Sequence, residues 1–356
     1  MTPLPSPLRD LIAAIPPISH AARDAAAKRQ DQLTKPQGSL GRLEELSIRL
    51  AGMTANPRPR FASPAVIVGA GDHGICAEGV SAFPSEVTPQ MVANFLAGGA
   101  AINVLSRQAG ARVIVVDFGV AADLSATPGL VHARIAAGTQ NFARGMAMTR
   151  EQALEAILAG AEVVTSAARQ SLDLVAVGEM GIGNTTPASA LTTVFTGQPV
   201  AKVTGRGTGI SDAALAHKID VIERALALHQ LDAQDPLGVL AAVGGFEIAG
   251  LAGVMMAAAA RRIPVVLDGF ITGSAALVAA RLAPAVTDYM VASHVSVECG
   301  HPVILDNLGL VPLFNLDLRL GEGSGAALAL PMVRAAAAIL DEMATFDEAG
   351  VSEGEP

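Results

Sequence analysis

The chain has 356 residues, 51% of them apolar or aromatic and 16% charged, which excludes a disordered, collagenous or linker-like polymer. A net charge of −9, with no Trp and one Tyr, argues against a nucleic-acid groove or an anionic membrane surface as the main partner. A chain this long can bury about three-quarters of its unfolded surface without a metal or a disulfide.

Residues 1–60 carry no strand signal and read as helices broken by proline, among them Leu40–Gly52 with Leu40, Leu43, Leu46 and Leu50 on one face. Val- and Ile-rich runs follow at Ala65–Val68, Arg112–Asp117, Asp173–Val177, Pro264–Asp268 and Tyr289–Ser293. They are unbroken rather than alternating, as in strands covered on both faces by helices. Between them lie helical stretches: Arg150–Gln170, opened by the capping box Thr149-x-x-Gln152; Asp212–His229, with Ser211 as N-cap; and Glu247–Arg262. The longest apolar run, Ile248–Ala260, is closed by Glu247 and by Arg261-Arg262, well short of the about 20 residues a membrane span needs. It reads as a buried helix. Residues 325–346 form an Ala-rich helix before an acidic tail.

Strands alternating with helices predict an α/β fold with a doubly wound, mostly parallel, Rossmann-like sheet over residues 61–324. The ends, 1–60 and 325–356, are expected to form a small helical domain together. No basic segment precedes the LIAAI run, and Cys76 and Cys299 are too few for a disulfide framework. The expectation is a soluble, reduced, cytoplasmic protein.

Ligands of an open α/β sheet bind outside the carboxyl ends of its strands. Here four strands end in Gly69-Ala70-Gly71-Asp72-His73-Gly74, Gly178–Thr186, Asp268-Gly269-Phe270 and Ser293–Ser296, which delivers Gly, Asp, Glu, His and Ser to one rim. The first of these is a GxGxxG, but Gly79 and Pro84 forbid the helix that a dinucleotide site requires directly after it. No Walker loop is present. The glycines of Gly178–Gly183 let the backbone approach a ligand closely, and Thr186 could cap a helix starting at Pro187, so that the N–H groups of Gly181 to Thr186 face an anion. A similar turn, Gly205–Gly209, precedes the helix carrying Lys218, a candidate counter-charge. Glu322 stands between two glycines before the last helix, either as a helix-terminal charge or as a positioned base. His294, Cys299 and His301 match no common zinc spacing.

Together these motifs resemble the nicotinate-nucleotide–dimethylbenzimidazole phosphoribosyltransferase family of cobalamin lower-ligand synthesis. The resemblance is carried by Lys35–Glu44, Gly71–Gly74, Gly178–Thr186, Asp268–Phe270, Ser293–His301 and Leu318–Pro331, in the family's order and across most of the chain. It implies transfer of phosphoribosyl from nicotinate mononucleotide to a benzimidazole-type base, without a metal or other cofactor, by a homodimer. By the same resemblance Glu322 is the general base and Glu179 a second carboxylate near the reacting ring or ribose. Gly181, Gly183, Asn184, Thr185 and Thr186 hold the phosphate, supported by Gly207, Lys218 and Ser296. Phe83, Ser85 and Gln90 of the Ser81–Gln90 loop, with Met180 and Leu320, line the aromatic-base pocket. Two other readings compete: a nucleotide-sensing module, which needs neither Glu322 nor Glu179, and a metal-dependent hydrolase built on Asp72, His73 and His294.

Overall fold

The Val- and Ile-rich runs become strands of one sheet in the computed structural model, which describes residues 4–207 and 209–352. They are β1 Pro64–Gly71, β2 Arg112–Gly119, β3 Val131–His132, β4 Leu174–Met180, β5 Val265–Leu267 and β6 Met290–Ala292. The order is β3-β2-β1-β4-β5-β6, and every pairing is parallel. This is a doubly wound order whose switch point lies between β1 and β4. β3 has only two residues and no sequence signature of its own. β1 is buried along its whole length, as its unbroken apolar run requires.

Helices fill the connections. The N-terminal segment folds as α1 Ser6–Ala13, α2 His20–Gln32 and α3 Arg42–Thr54; α4 Val87–Ala97 and α5 Ala101–Ala109 link β1 to β2; α6 Arg150–Ala168 precedes β4. Between β4 and β5 run α7 Thr185–Thr196, α8 Val200–Val203, α9 Asp212–His229, α10 Pro236–Val243 and α11 Phe246–Ala260. Then come α12 Phe270–Leu282, α13 Gly300–Leu308, α14 Ser324–Glu342 and α15 Phe346–Ala349. Both expected caps form. Thr149 and Gln152 exchange side-chain and backbone bonds at the head of α6, and Ser211 accepts the Ala214 N–H at α9. After the GxGxxG the chain makes one short 3-10 turn, Gly74–Glu78, and no α-helix starts before Val87.

Burial explains why α11 is apolar all round: every residue from Phe246 to Ala259 is buried, Glu247 included. It packs against α6 so closely that a Cβ at Gly160 would overlap the Gly250 carbonyl. α14 is a longer apolar helix than the Ile248–Ala260 run. By length and composition alone it could cross a membrane, and 61% of its apolar window is buried in the fold. Its first turns lie on β1, β4 and β5, while its far end joins α2 and α3, where Ala26, Ala51 and Leu340 form a small apolar cluster. Arg29 of α2 secures that end by donating to the carbonyls of Leu340 at 2.7 Å and Met343 at 2.9 Å. α1 instead packs on α6 and α11.

Candidate active site

The carboxyl ends of β4, β5 and β6 open into a cavity of about 300 Å³. Its walls carry Glu179, Met180, Gly181, Asn184, Thr185, Gly207, Ser296, Leu320, Glu322 and Phe83 among the residues singled out from the sequence. A roomier recess of about 500 Å³ beside α3 and α13 contains no residue of the Gly178–Thr186 or Gly321–Gly323 turns, so those turns face the first.

Two carboxylates define one end. Glu179 sits on β4, where burial pushes its pKa up to about 8; the neighbouring Asp268 charge adds to this, and a hydrogen bond from the Asn184 amide opposes it. Burial likewise lifts Asp268 to about 7, although backbone N–H groups hold its ionised form. Glu322 belongs to a run of three left-handed residues, Gly321 at φ 84°, Glu322 at φ 62° and Gly323 at φ 88°. For a residue with a side chain this conformation costs about 1–3 kcal/mol, a strain characteristic of functional positions. Burial raises the pKa of Glu322 above the ordinary glutamate value, and the N–H of Ile102 works against that shift. The turn lies flat on β4 because residue 178 is glycine: a Cβ there would overlap the Glu322 carbonyl. A Cβ at Gly321 would strike Glu179 Oε1, so the two acids meet across the glycine.

A narrow side recess holds a buried lysine. Lys218 reaches in from α9 and donates from Nζ to Thr185 Oγ1 at 2.6 Å. Burial drives its pKa down to about 8, against the pull of Glu298. Gly181, Gly183, Asn184, Thr185, Gly207 and Lys218 line this recess, which shares Gly181, Asn184, Thr185 and Gly207 with the main cavity. The helix starts earlier than the sequence suggests. α7 begins at Thr185, with Asn184 at its N-cap, so Thr186 is its second residue and caps nothing. The cause is Gly183, which at φ 87° turns the chain before Thr186 is reached. Thr186 is fully buried, and its hydroxyl has no partner among the described residues. Part of the turn's donor set is also spoken for: the N–H groups of Asn184 and Thr186 bond back to Gly181 and Gly183, and that of Ile182 donates to Thr88 Oγ1 at 3.1 Å.

Two expected pocket residues are not on the cavity wall. Gln90 lies on the exposed side of α4 rather than in a loop, because the helix already starts at Val87. Ser85 sits in the turn before α4 and faces Cys76 instead. The positions that do line the cavity from this helix are Val87 and Met91, one turn apart on its inner face. Phe270 and Ile271, at the head of α12, add apolar wall, and His294, Glu298 and Arg319 complete the rim. Phe270, His294, Glu298 and Arg319 stand in segments that carry the resemblance, but none was assigned to the pocket from the sequence. Of the residues considered for a metal, His73 is buried against Glu247 with Nε2 2.9 Å from Oε1. His294 and His301 are pushed down to about 4 and about 3 by burial. No three His, Cys, Asp or Glu side chains gather into a metal-holding group among the described residues. Cys299 has its thiol pKa raised by burial and by Glu298, the wrong direction for a nucleophile.

A family model described as phosphoribosyltransferase matches residues 15–351. The chain is 62% identical over 346 residues to a nicotinate-nucleotide–dimethylbenzimidazole phosphoribosyltransferase of Chloroflexus aggregans, covering 97% of this chain and 98% of that one. A relative of the same name from a Roseiflexus species is 60% identical over 345 residues, with 97% and 98% covered. Among solved structures, CobT of Thermus thermophilus is similar with a TM-score of 0.90 at 48% identity, over 94% of this chain and 99% of the other. With a shared fold and matches that run nearly end to end, the chain belongs to the nicotinate-nucleotide–dimethylbenzimidazole phosphoribosyltransferase family.

Proposed function

We propose that this protein transfers the phosphoribosyl group of nicotinate mononucleotide to 5,6-dimethylbenzimidazole, yielding α-ribazole 5′-phosphate and nicotinate for the nucleotide loop of cobalamin. The observation that carries the reading is the pair of carboxylates with raised pKa, Glu179 and Glu322, on one wall of a cavity whose adjoining side recess holds a buried lysine. A sensing module would need the lysine recess but neither acid.

In this reading the donor phosphate lies at Lys218, Thr185 and the Gly181–Asn184 turn, with Gly207 and Ser296 alongside. The acceptor ring lies among Phe83, Val87, Met91, Met180 and Leu320. A ring nitrogen of the acceptor attacks C1′ from the face opposite the pyridinium. The C1′–pyridinium bond breaks with its electron pair going to nicotinate, and Glu322 takes the acceptor's N–H proton. Holding both partners in line supplies a large share of the acceleration, and a carboxylate whose pKa is raised toward neutrality is matched to the proton it removes. Exposed Phe83 and Leu320 at the mouth, with exposed Val297 between the lining residues Ser296 and Glu298, favour a homodimer that covers them; sedimentation of the purified protein measures it. The reaction itself is tested by mixing the protein with nicotinate mononucleotide and dimethylbenzimidazole. Release of nicotinate with formation of an α-ribotide is expected, and donor hydrolysis without a ribotide sinks the reading. Adenine and benzimidazole as competing acceptors rank the base preference.

A further inference from the structure

α14 begins at a residue that cannot cap it. Gly323 occupies its N-cap and has no side chain to accept from the helix's first N–H groups, which lack intrahelical partners. The acceptor arrives from another element. Asp268, directly after β5, takes the N–H of Gly323 through Oδ2 at 3.1 Å, and those of Gly325 at 2.7 Å and Ala326 at 3.1 Å through Oδ1. The residue is only 2% exposed. Its nearest basic group is His294, 4.0 Å away and uncharged at neutral pH because burial lowers its pKa to about 4. A buried acid without a cation is costly to retain, and what these three bonds secure lies immediately upstream.

Gly321, Glu322 and Gly323 all hold positive φ, and the Ser324 N–H closes the turn onto the Gly321 carbonyl at 3.0 Å. Such a turn persists only where the surroundings over-determine it. Gly178 admits it from below, and Asp268 clamps its downstream end. We propose that Asp268 is a positioning residue for Glu322, holding the strained turn in the conformation that presents the Glu322 carboxylate to the cavity while touching neither substrate. Gly269 and Phe270 line the cavity, whereas Asp268 stands behind its wall. The inference rests on Glu322 being the base.

The test is a double-mutant cycle with Asp268→Asn, which keeps the side chain's size but turns an amide donor toward backbone donors. In the parent background kcat is expected to fall on the order of 10²-fold, the scale of an ångström's misplacement, with both KM values nearly unchanged. In a Glu322→Gln background the same substitution is expected to change the residual kcat by less than about twofold, since the group it positions is already disabled. An equal fold-loss in both backgrounds, or a parental kcat in Asp268→Asn, overturns the proposal. If Asp268→Asn does not fold, Asp268→Ser enters the same cycle, and amide exchange in the parent protein gives an independent reading. Slow exchange at Gly323, Gly325 and Ala326 is expected, and fast exchange at all three overturns the clamp. A parental rate in Glu322→Gln alone removes the underlying assignment instead, and is seen before Asp268 is altered.

Discussion

Glu322, on the cavity wall, accepts the Ile102 N–H at the head of α5 through one carboxylate oxygen, Oε2, at 3.4 Å. A helix N-terminus favours the ionised form, while burial disfavours it. Burial is the larger effect, so Glu322 holds its proton to a higher pH than an exposed glutamate does. That balance suits a base which must accept a proton during turnover and release it afterwards.

Glu322→Gln keeps the side chain's shape and removes its basicity. Turnover is expected to fall by about 10²–10⁴-fold, with both substrates still bound on calorimetric titration. In the parent protein the rate declines as pH falls, because a protonated Glu322 cannot accept the acceptor's proton. The acid limb therefore begins above the ordinary glutamate value of 4.5. A near-parental rate in the variant would transfer the assignment to Glu179.

The neighbouring threonines are expected to behave differently. Thr185→Val removes the acceptor of the Lys218 ammonium and one wall of the side recess, so nicotinate mononucleotide binding weakens by about 1–3 kcal/mol while the aromatic acceptor binds normally. Thr186→Val replaces a buried hydroxyl that has no partner among the described residues, so it leaves donor binding unchanged and raises unfolding stability by about 1 kcal/mol. Calorimetry and urea denaturation measure both. Weakened donor binding in Thr186→Val would mean that this hydroxyl reaches the ligand.

Gly178→Ala tests the seat of the Glu322 turn. Its Cβ would collide with the Glu322 carbonyl and come within 2.5 Å of the Gly323 nitrogen, both backbone atoms with little room to yield. A loss of about 1–3 kcal/mol in stability is expected, together with a fall in kcat. Gly197→Ala is the control: at φ 69° with open space around it, it costs about 1–2 kcal/mol of backbone strain and leaves kcat alone. Parental kcat in a folded Gly178→Ala would show that the turn tolerates displacement.

Glu179 gives the protein a pH-dependent weakness. Its folded pKa of about 8 lies above the unfolded value of 4.5, so the folded state binds the extra proton. The stabilisation this supplies is complete below pH 4.5 and is lost as pH rises through 8. Glu179→Gln keeps an acceptor for the Asn184 amide and carries no charge. Thermal melts at pH 5, 7 and 9 are expected to show the variant gaining on the parent as pH increases. A constant difference across the series would mean that Glu179 ionises freely in the folded protein.

Most of the framework was legible from local pattern. Unbroken Val and Ile runs mark five of the six strands, and side-chain caps mark α6 and α9, because these signals act within a turn or a strand. The long Gly178–Thr186 and Leu318–Pro331 motifs carried the family resemblance, and Glu179 and Glu322 do share a cavity wall.

What local pattern could not decide is which residues meet across the chain. β3 exists only because two residues find β2. Gln90 faces outward and Met91 inward because α4 starts at Val87, a phase set by what it packs against. Thr186 was displaced from its expected cap by Gly183. Asp268 caps a helix 55 residues further on, a partnership with no local signature. Five strands, several helices and the family resemblance could be read from the amino acids alone, because periodicity and capping act over short stretches. Burial came with the packed fold, and with it the raised carboxylates, the lowered lysine and the residues that face the cavity, because desolvation depends on every segment packed around a group.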